Sequence, residues 1–354
     1  MNSRALNRAT LARQALLVRA TDPLAIVERL VGLQAQQARP PFVGLWSRVD
    51  GFQREQLHAL VRDKAVVRAT MMRGTLHLVT AADYVALRGA LAPMFAAGVK
   101  AILGKRVDGL DLAKLCAFAQ TKLPATFEAL RPVLAKKFPK FDDRALGYTV
   151  RMTLPLVQVP TDDRWAYPAS SDFASGEAWL GRPTDPVAAS ALLVKKYLAA
   201  FGPASVRDAQ TWSGLRDLAP VFAQLRDELV TFRDGKRELF DLPDAPRPDA
   251  DTAVPVRYLP EFDNLVLSHD DRSRVIADAH RPAVVTKNLQ VKATFLVDGV
   301  VAGTWTIERK KTATLVLSPF AALKKPVRVA LEAEGEPLVR FVEPDAASYA
   351  IKVV

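Results

Sequence analysis

Three amide side chains are crowded into one short segment of the chain. Residues 31–41 read VGLQAQQARPP, with Gln34, Gln36 and Gln37 between an apolar run and two prolines. A primary amide offers an acceptor oxygen and two donor hydrogens without changing charge, so two amides that converge could hold one water molecule and aim it. The alternative is structural: a polar helix terminus that caps its own backbone carbonyls.

The path of the backbone decides whether the amides can meet. In a continuous helix, Gln34 and Gln36 would lie about 200° apart around the axis and could not share a site. The residue before a proline is disfavoured in helical geometry, so the prolines predict that the helix does not continue past Arg39. If the helix ends near Gln34, the chain turns and both amides can converge.

A second polar cluster lies far downstream. Between residues 261 and 274 it contains Asp263, Asn264, His269, Asp270, Arg272 and Arg274. The carboxylate of Asp263 could act beside a developing positive charge. The interpretation we favour for Asp263 is a polar turn held by Asx hydrogen bonds, because apolar residues flank it on both sides.

The elements around the amide segment predict a winged helix. Helices are expected over residues 6–18, 24–33 and 53–63, and strands over 66–72 and 75–79. The two strands flank Arg73-Gly74, and helices followed by a two-stranded wing give the winged-helix order.

The same order recurs twice. Helices are expected over 127–138 and 144–154 before strands 156–159 and 164–167, then over 187–200, 205–212 and 218–225 before strands 229–232 and 237–240. Two turn signals, Asp234-Gly235 and Asp298-Gly299, predict hairpins. Beyond a proline-rich linker, strands are expected over 291–297, 300–308 and 312–317 and helices over 320–323 and 326–335. We therefore predict an α+β protein with three tandem winged-helix modules (1–110, with a following helical linker, 111–182 and 183–245) and a C-terminal β-rich domain (246–354).

Charge and composition limit the function classes. The chain has 49 Lys and Arg against 38 Asp and Glu, a net charge of +11, which favours a polyanionic partner such as nucleic acid. The single Cys116 excludes an internal disulfide and a cysteine-based zinc site, and the four histidines lack metal-ligand spacing. No apolar run reaches transmembrane length and no signal peptide is recognisable, so we expect a cytoplasmic protein without membrane association.

An ordered series of motifs gives the chain a family resemblance. The segments are VGLQAQ at 31–36, RGTLHLV at 73–79, LPEFDNLVLSHDDRSR at 259–274 and ATFLVDGVVAGTW at 293–305. They belong to a series that covers nearly the whole chain, and the chain resembles the bacterial winged-helix DNA glycosylases of the AlkZ/YcaQ type. Gln34-Ala35-Gln36 matches the Gln-Φ-Gln form of that family's catalytic motif, in which Φ is apolar.

The resemblance implies a monofunctional DNA glycosylase that excises bulky or crosslinked purines alkylated at N7 or N3. Gln34 and Gln36 would position the water, the product would be an abasic site, and no cofactor or metal would be needed. The winged helices would form a C-shaped array around double-stranded DNA, with a monomer sufficient. The alternative is a non-catalytic winged-helix DNA-binding protein or transcriptional regulator, although a regulator usually dimerises to read paired half-sites.

Further side chains are expected at the DNA. Arg39 follows the amides directly, and Arg73 and His77 lie on the first wing, where side chains contact phosphates or enter a groove. The downstream cluster adds Arg272 and Arg274 as expected DNA contacts, with Asp263, Asn264 and His269 as a possible additional site.

Overall fold

The computed structural model describes residues 1–185 and 189–354, so the predicted helix start at Val187 lies outside the described residues. The helices are α1 (Ser3–Arg13), α2 (Pro23–Arg29), α3 (Pro40–Arg48), α4 (Arg54–Arg62), α5 (Ala81–Leu87), α6 (Ala92–Leu103), α7 (Leu112–Gln120), α8 (Phe127–Lys137), α9 (Asp143–Thr153), α10 (Gly176–Leu180), α11 (Ser190–Phe201), α12 (Val206–Ser213), α13 (Ala219–Gln224), α14 (Arg281–Val284) and α15 (Lys325–Val342). The strands are β1 (Leu33–Gln34), β2 (Val66–Thr70), β3 (Leu76–Thr80), β4 (Leu156–Gln158), β5 (Phe173–Ser175), β6 (Val230–Asp234), β7 (Arg237–Asp241), β8 (Arg257–Leu259), β9 (Thr294–Val297), β10 (Val300–Arg309), β11 (Thr312–Pro319) and β12 (Ser348–Val353). This mixture confirms the predicted α+β class.

The first sheet joins strands from two of the predicted modules. Its order is β1-β3-β2-β4-β5, and all its pairs are antiparallel. The link between the two halves is the pair Ala69↔Val157, where β2 meets β4. The predicted strand over 164–167 is wrong, because that segment forms turns and β5 pairs with β4 instead.

The other two sheets lie later in the chain. Strands β6 and β7 form a separate two-stranded sheet, which confirms the hairpin predicted at Asp234-Gly235. The C-terminal sheet has the order β12-β11-β10-β9-β8, and Asp298-Gly299 forms the predicted turn between β9 and β10. Residues 320–323 are not helical, and the last helix, α15, is longer than predicted and connects the parallel strands β11 and β12.

The break between α2 and β1 determines the course of the amide segment. Helix α2 ends at Arg29, earlier than predicted, and the backbone reverses through Val31 (φ 53°) and Gly32 (φ 92°). The chain then enters β1, which pairs with β3 in the register Gln34↔His77. The two prolines do not simply end a helix: they begin α3, since proline suits the first helical turn, where its missing N–H is no loss.

Two buried polar contacts attach the C-terminal region to this segment. The amide nitrogen of Asn264 donates to the carbonyl oxygen of Gly32 at 2.9 Å. The guanidinium of Arg48, at the end of α3, forms a bidentate pair with Asp263, with both N–O distances 2.9 Å. Because both pairs are buried, they fix the α2–β1 turn and α3 against the segment that contains Asp263 and Asn264.

Within the described ranges, no single helix is both long enough and apolar enough to cross a membrane. The segments Ala81–Leu87 and Ala92–Val107 pass that test by length and composition only when taken together, and they are bent by 72°.

We predict that Gly32→Ala destabilises the fold. A Cβ at Gly32 would lie 2.8 Å from the Leu78 carbonyl oxygen and would overlap the Val79 side chain, on top of the strain of a positive φ. The expected loss in the free energy of unfolding is about 3 kcal/mol. Gly51 is the matched control, because its φ is +60° but nothing lies within 4 Å of its Cβ position. Gly51→Ala should cost about 1 kcal/mol, for strain alone. Equal losses for the two variants in urea unfolding would contradict the packing argument.

Candidate active site

Gln34 is the last residue of β1, at the edge of the first sheet, and Gln36 follows two residues later, where the chain has begun to turn. The extended course continues past β1, because the N–H of Ala35 donates to the carbonyl oxygen of Leu76 at 2.7 Å. The Gln34 side chain is buried (7% exposed), whereas Gln36 is exposed and its Oε1 accepts from the Leu76 N–H at 3.4 Å. Both amide oxygens therefore accept from groups of the β2–β3 hairpin, Gln34 from the Arg73 side chain and Gln36 from the Leu76 N–H, and this arrangement does not depend on a helix ending at Gln34.

Arg73 holds the Gln34 amide from the neighbouring turn. Its Nη2 donates to Gln34 Oε1 at 2.7 Å, and its Nη1 donates to the backbone carbonyl of Trp212. Arg73 has a left-handed backbone (φ 56°) in the tight turn that joins β2 to β3. Burial, reinforced by the positive charge of Arg272, lowers the pKa of Arg73 to about 10, so it remains a cation at neutral pH.

Arg68 holds the backbone of the motif. From β2, its Nε donates to the carbonyl oxygen of Ala35 at 2.9 Å and its Nη2 donates to that of Gln36 at 3.3 Å. The guanidinium packs over the Tyr167 ring, and burial lowers its pKa to about 10. Sequence reasoning gave Arg68 no role, although an arginine in an otherwise apolar strand is the signal that could have indicated one.

His77 lies opposite Gln34 on β3 and is fully buried. Its Nδ1 is 3.0 Å from the Thr75 carbonyl oxygen, which can only accept, so Nδ1 carries the proton and the buried Nε2 is left without a partner. Burial and the charge of Arg73 lower the pKa of His77 to about 3. The ring is neutral and enclosed in this conformation, so the expected DNA contact would require it to become exposed.

Two of the other expected DNA contacts are partly exposed. Arg39 is 31% exposed and forms an ion pair with Glu261. Arg272 is half-buried, donates from Nε to the His269 carbonyl oxygen at 3.1 Å, and has its pKa lowered by burial and by Arg281. Arg272 is also the charge that helps to lower the pKa of Arg73.

Arg274 and His269 belong to the interior. Arg274 is 3% exposed and donates to the Pro203 carbonyl oxygen at 2.8 Å. The His269 ring is fully buried between the Ser268 hydroxyl at 3.1 Å and the Phe201 carbonyl oxygen at 2.9 Å, and burial lowers its pKa to about 3. Neither side chain reaches the surface, so nothing in this geometry presents them to DNA.

Asp263 and Asn264 stabilise the fold around the site. The Asp263 carboxylate is saturated by Arg48 and also accepts from the Leu265 N–H at 2.9 Å, which is the Asx turn favoured above. The Asn264 side chain is bound to the Gly32 carbonyl oxygen. With both side chains committed to these bonds, the carboxylate is not free to face a substrate. In the part of the chain that the structure describes, no group of three or more His, Cys, Asp or Glu side chains could hold a metal ion.

The comparison with protein families identifies the class of this protein. The family model described as "DNA glycosylase AlkZ-like" matches residues 27–341, which is most of the chain. The chain therefore belongs to the AlkZ-like DNA glycosylase family, and it is a DNA glycosylase. This membership sets aside the non-catalytic regulator considered from the sequence.

Two relatives from Streptomyces sahachiroi are similar over nearly the full length. A protein named interstrand DNA cross-link repair glycosylase is 27% identical over 346 residues, which cover 90% of this chain and 91% of that protein. The solved structure of the DNA glycosylase AlkZ matches with a TM-score of 0.82 over 100% of both chains, at 21% sequence identity. The structural similarity shows that the two chains share a fold.

We predict a pH dependence of stability that arises from His77. Its pKa is about 3 in the folded protein against an ordinary value of 6.5, so the unfolded chain binds a proton that the folded protein excludes. Stability is therefore lost as the pH falls from about 6.5 towards 3, and the loss from this one group between pH 7 and pH 5 is about 2 kcal/mol. Urea unfolding at both pH values should show a drop about 2 kcal/mol smaller in His77→Gln than in the parent. The same drop in both proteins would contradict the buried, neutral ring.

Proposed function

We propose that this DNA glycosylase hydrolyses the N-glycosidic bond of purines alkylated at N7 or N3, including bulky and crosslinked ones, and that Gln34 and Gln36 position the attacking water. The observation that carries the proposal is that two primary amides are held against the β2–β3 hairpin, with Gln34 Oε1 bonded to Arg73 at 2.7 Å and Gln36 Oε1 to the Leu76 N–H at 3.4 Å. The cross-link repair activity in the name of the Streptomyces sahachiroi relative supports the substrate class.

The chemistry of such a substrate suits neutral side chains. Alkylation at N7 or N3 makes the purine a cation, so the bond from C1′ to N9 is already weakened. As this bond breaks, its electron pair passes to the purine and neutralises it, and positive charge develops on the sugar. The water oxygen then bonds to C1′ and the water releases a proton to solvent. No acid is needed for the leaving group, and the enzyme's task is to place the water.

The partner is double-stranded DNA, and the charges beside the site fit a phosphodiester. Arg272 is half-buried and its positive charge acts on Arg73, whose terminal nitrogens are already bonded to Gln34 and Trp212. A phosphate bound by Arg272 would offset the repulsion between the two guanidinium groups, and a guanidinium matches phosphate geometry. Arg39, which carries an ion pair with Glu261, could exchange that carboxylate for a phosphate.

The finer architecture is part of the same proposal. We propose three winged-helix modules arranged in a C shape around the DNA, acting as a cytoplasmic monomer. Hairpins that follow helices support the modules, as with β2–β3 after α4 and β6–β7 after α13. The net charge of +11 supports a surface that tracks phosphates.

We predict that Gln34→Ala and Gln36→Ala slow excision without weakening DNA binding. Removal of one oriented hydrogen bond to the reacting water should raise the barrier by about 2–4 kcal/mol, or roughly 30- to 1,000-fold in rate. The measurement is single-turnover release of N7-methylguanine from a duplex, with abasic sites revealed as strand breaks after alkali treatment. A duplex carrying an interstrand purine cross-link tests the bulkier substrate in the same assay.

Gln37→Ala is the matched control, because Gln37 is an exposed amide one residue beyond the motif. It should excise at close to the parental rate. If Gln34→Ala and Gln36→Ala remain folded and also excise at that rate, the amides only shape the sheet edge and the proposed role is wrong. Strand breaks that appear without alkali would contradict a monofunctional enzyme.

A further inference from the structure

The contact between Gln34 and Arg73 determines which way the Gln34 amide faces. A guanidinium has donors and no acceptor, so the amide atom 2.7 Å from Arg73 Nη2 must be the oxygen, Oε1. The amide nitrogen is then on the opposite branch of the side chain. No hydrogen bond among residues 1–185 and 189–354 uses Gln34 Nε2, so its two N–H groups are free for a ligand.

Arg73 is itself held on two sides, which makes this orientation persistent. Its second donor group is taken by the Trp212 carbonyl oxygen, at the end of α12. Its backbone lies in a turn closed by the bond from the Gly74 N–H to the Met71 carbonyl oxygen at 3.0 Å. Gly214 packs against this turn so closely that a Cβ there would be 3.1 Å from the Arg73 Cα.

The charge state of Arg73 makes it a donor throughout the working range of pH. Burial and Arg272 lower its pKa only to about 10, so it stays protonated at neutral pH. The neighbouring His77 is neutral there and has its free acceptor, Nε2, on the same side of the sheet edge. His77 therefore has no proton at Nε2 with which it could compete with Arg73 for Oε1 of Gln34.

We propose that Arg73 is a positioning residue that turns the Gln34 amide so that Nε2 donates away from Arg73, which makes Gln34 a hydrogen-bond donor to the water oxygen. This inference rests on the proposed role of Gln34 in excision and specifies it further. A donor holds the water through a lone pair and cannot take its proton. Such a contact suits a reaction in which the glycosidic bond breaks first and the water, oriented in advance, adds to the sugar cation.

Gln34→Glu tests the donor assignment directly, because glutamate has the same shape but is an acceptor only. We expect it to slow single-turnover excision of N7-methylguanine by roughly the same factor as Gln34→Ala, at least 10-fold. If Gln34 acts as an acceptor, the glutamate variant will excise at or above the parental rate, which would overturn the inference. Should Gln34→Ala itself have no effect, the proposed function fails instead, so the two failures are distinguishable.

A double-mutant cycle separates positioning from DNA contact. Arg73→Met should slow excision roughly 10-fold in the parent and have no further effect in the Gln34→Ala background, because Arg73 acts through Gln34. Slowing of the same size in both backgrounds would show that Arg73 acts independently, as a phosphate contact would, and would overturn the positioning role. If circular dichroism shows that Arg73→Met is unfolded, the Gln34→Glu result decides the proposal alone.

Discussion

The reversal of the backbone at Val31 and Gly32 is the constraint on which the site depends. Both residues have a positive φ, and only at Gly32 is the backbone too close to β3 for any side chain. The reversal ends α2 and delivers the chain to the edge of the first sheet, where pairing with β3 forces an extended course. This course brings both amides to the β2–β3 hairpin, where Gln34 bonds to Arg73 and Gln36 to the Leu76 N–H.

Guanidinium groups hold this segment of the backbone, and the Gln34 side chain, in place. Burying a charge is costly unless it is paired or hydrogen-bonded, and each of these arginines meets that condition in its own way. Arg48 is neutralised by Asp263, whereas Arg68 bonds to the carbonyl oxygens of Ala35 and Gln36. Arg73 bonds to a side-chain amide and a backbone carbonyl. The motif is therefore held from its backbone and from its side chain by neighbours on β2 and the β2–β3 turn.

Local patterns predicted the parts of this arrangement that depend on local chemistry. The hairpin turns at Asp234-Gly235 and Asp298-Gly299 were predictable because their backbone conformation favours those residues, and the amide pair was predictable from residue type. Helix α3 was not predicted, because a proline is compatible both with the end of one helix and with the start of the next. The partners of Arg68 and the Arg48–Asp263 pair could not be predicted, because these residues are distant in sequence and only folding brings them together. The burial of Arg274 and His269 was not predicted for the same reason, and their polar side chains face the interior.

The most direct measurement of the central claim is the single-turnover excision rate of Arg68→Met. Arg68 is 5% exposed, and within the described residues its side-chain hydrogen bonds go only to the backbone of the motif, so its loss displaces the amides without removing a DNA contact. Arg88→Met is the matched control, because Arg88 is equally buried and also bonds to backbone carbonyls, those of Met152 and Leu154. The account predicts that Arg68→Met excises N7-methylguanine at least 10-fold more slowly at unchanged DNA affinity, while Arg88→Met stays near the parental rate. A folded Arg68→Met protein that excises at the parental rate would contradict the claim that the backbone course of this sheet edge sets the position of the two amides proposed to hold the water.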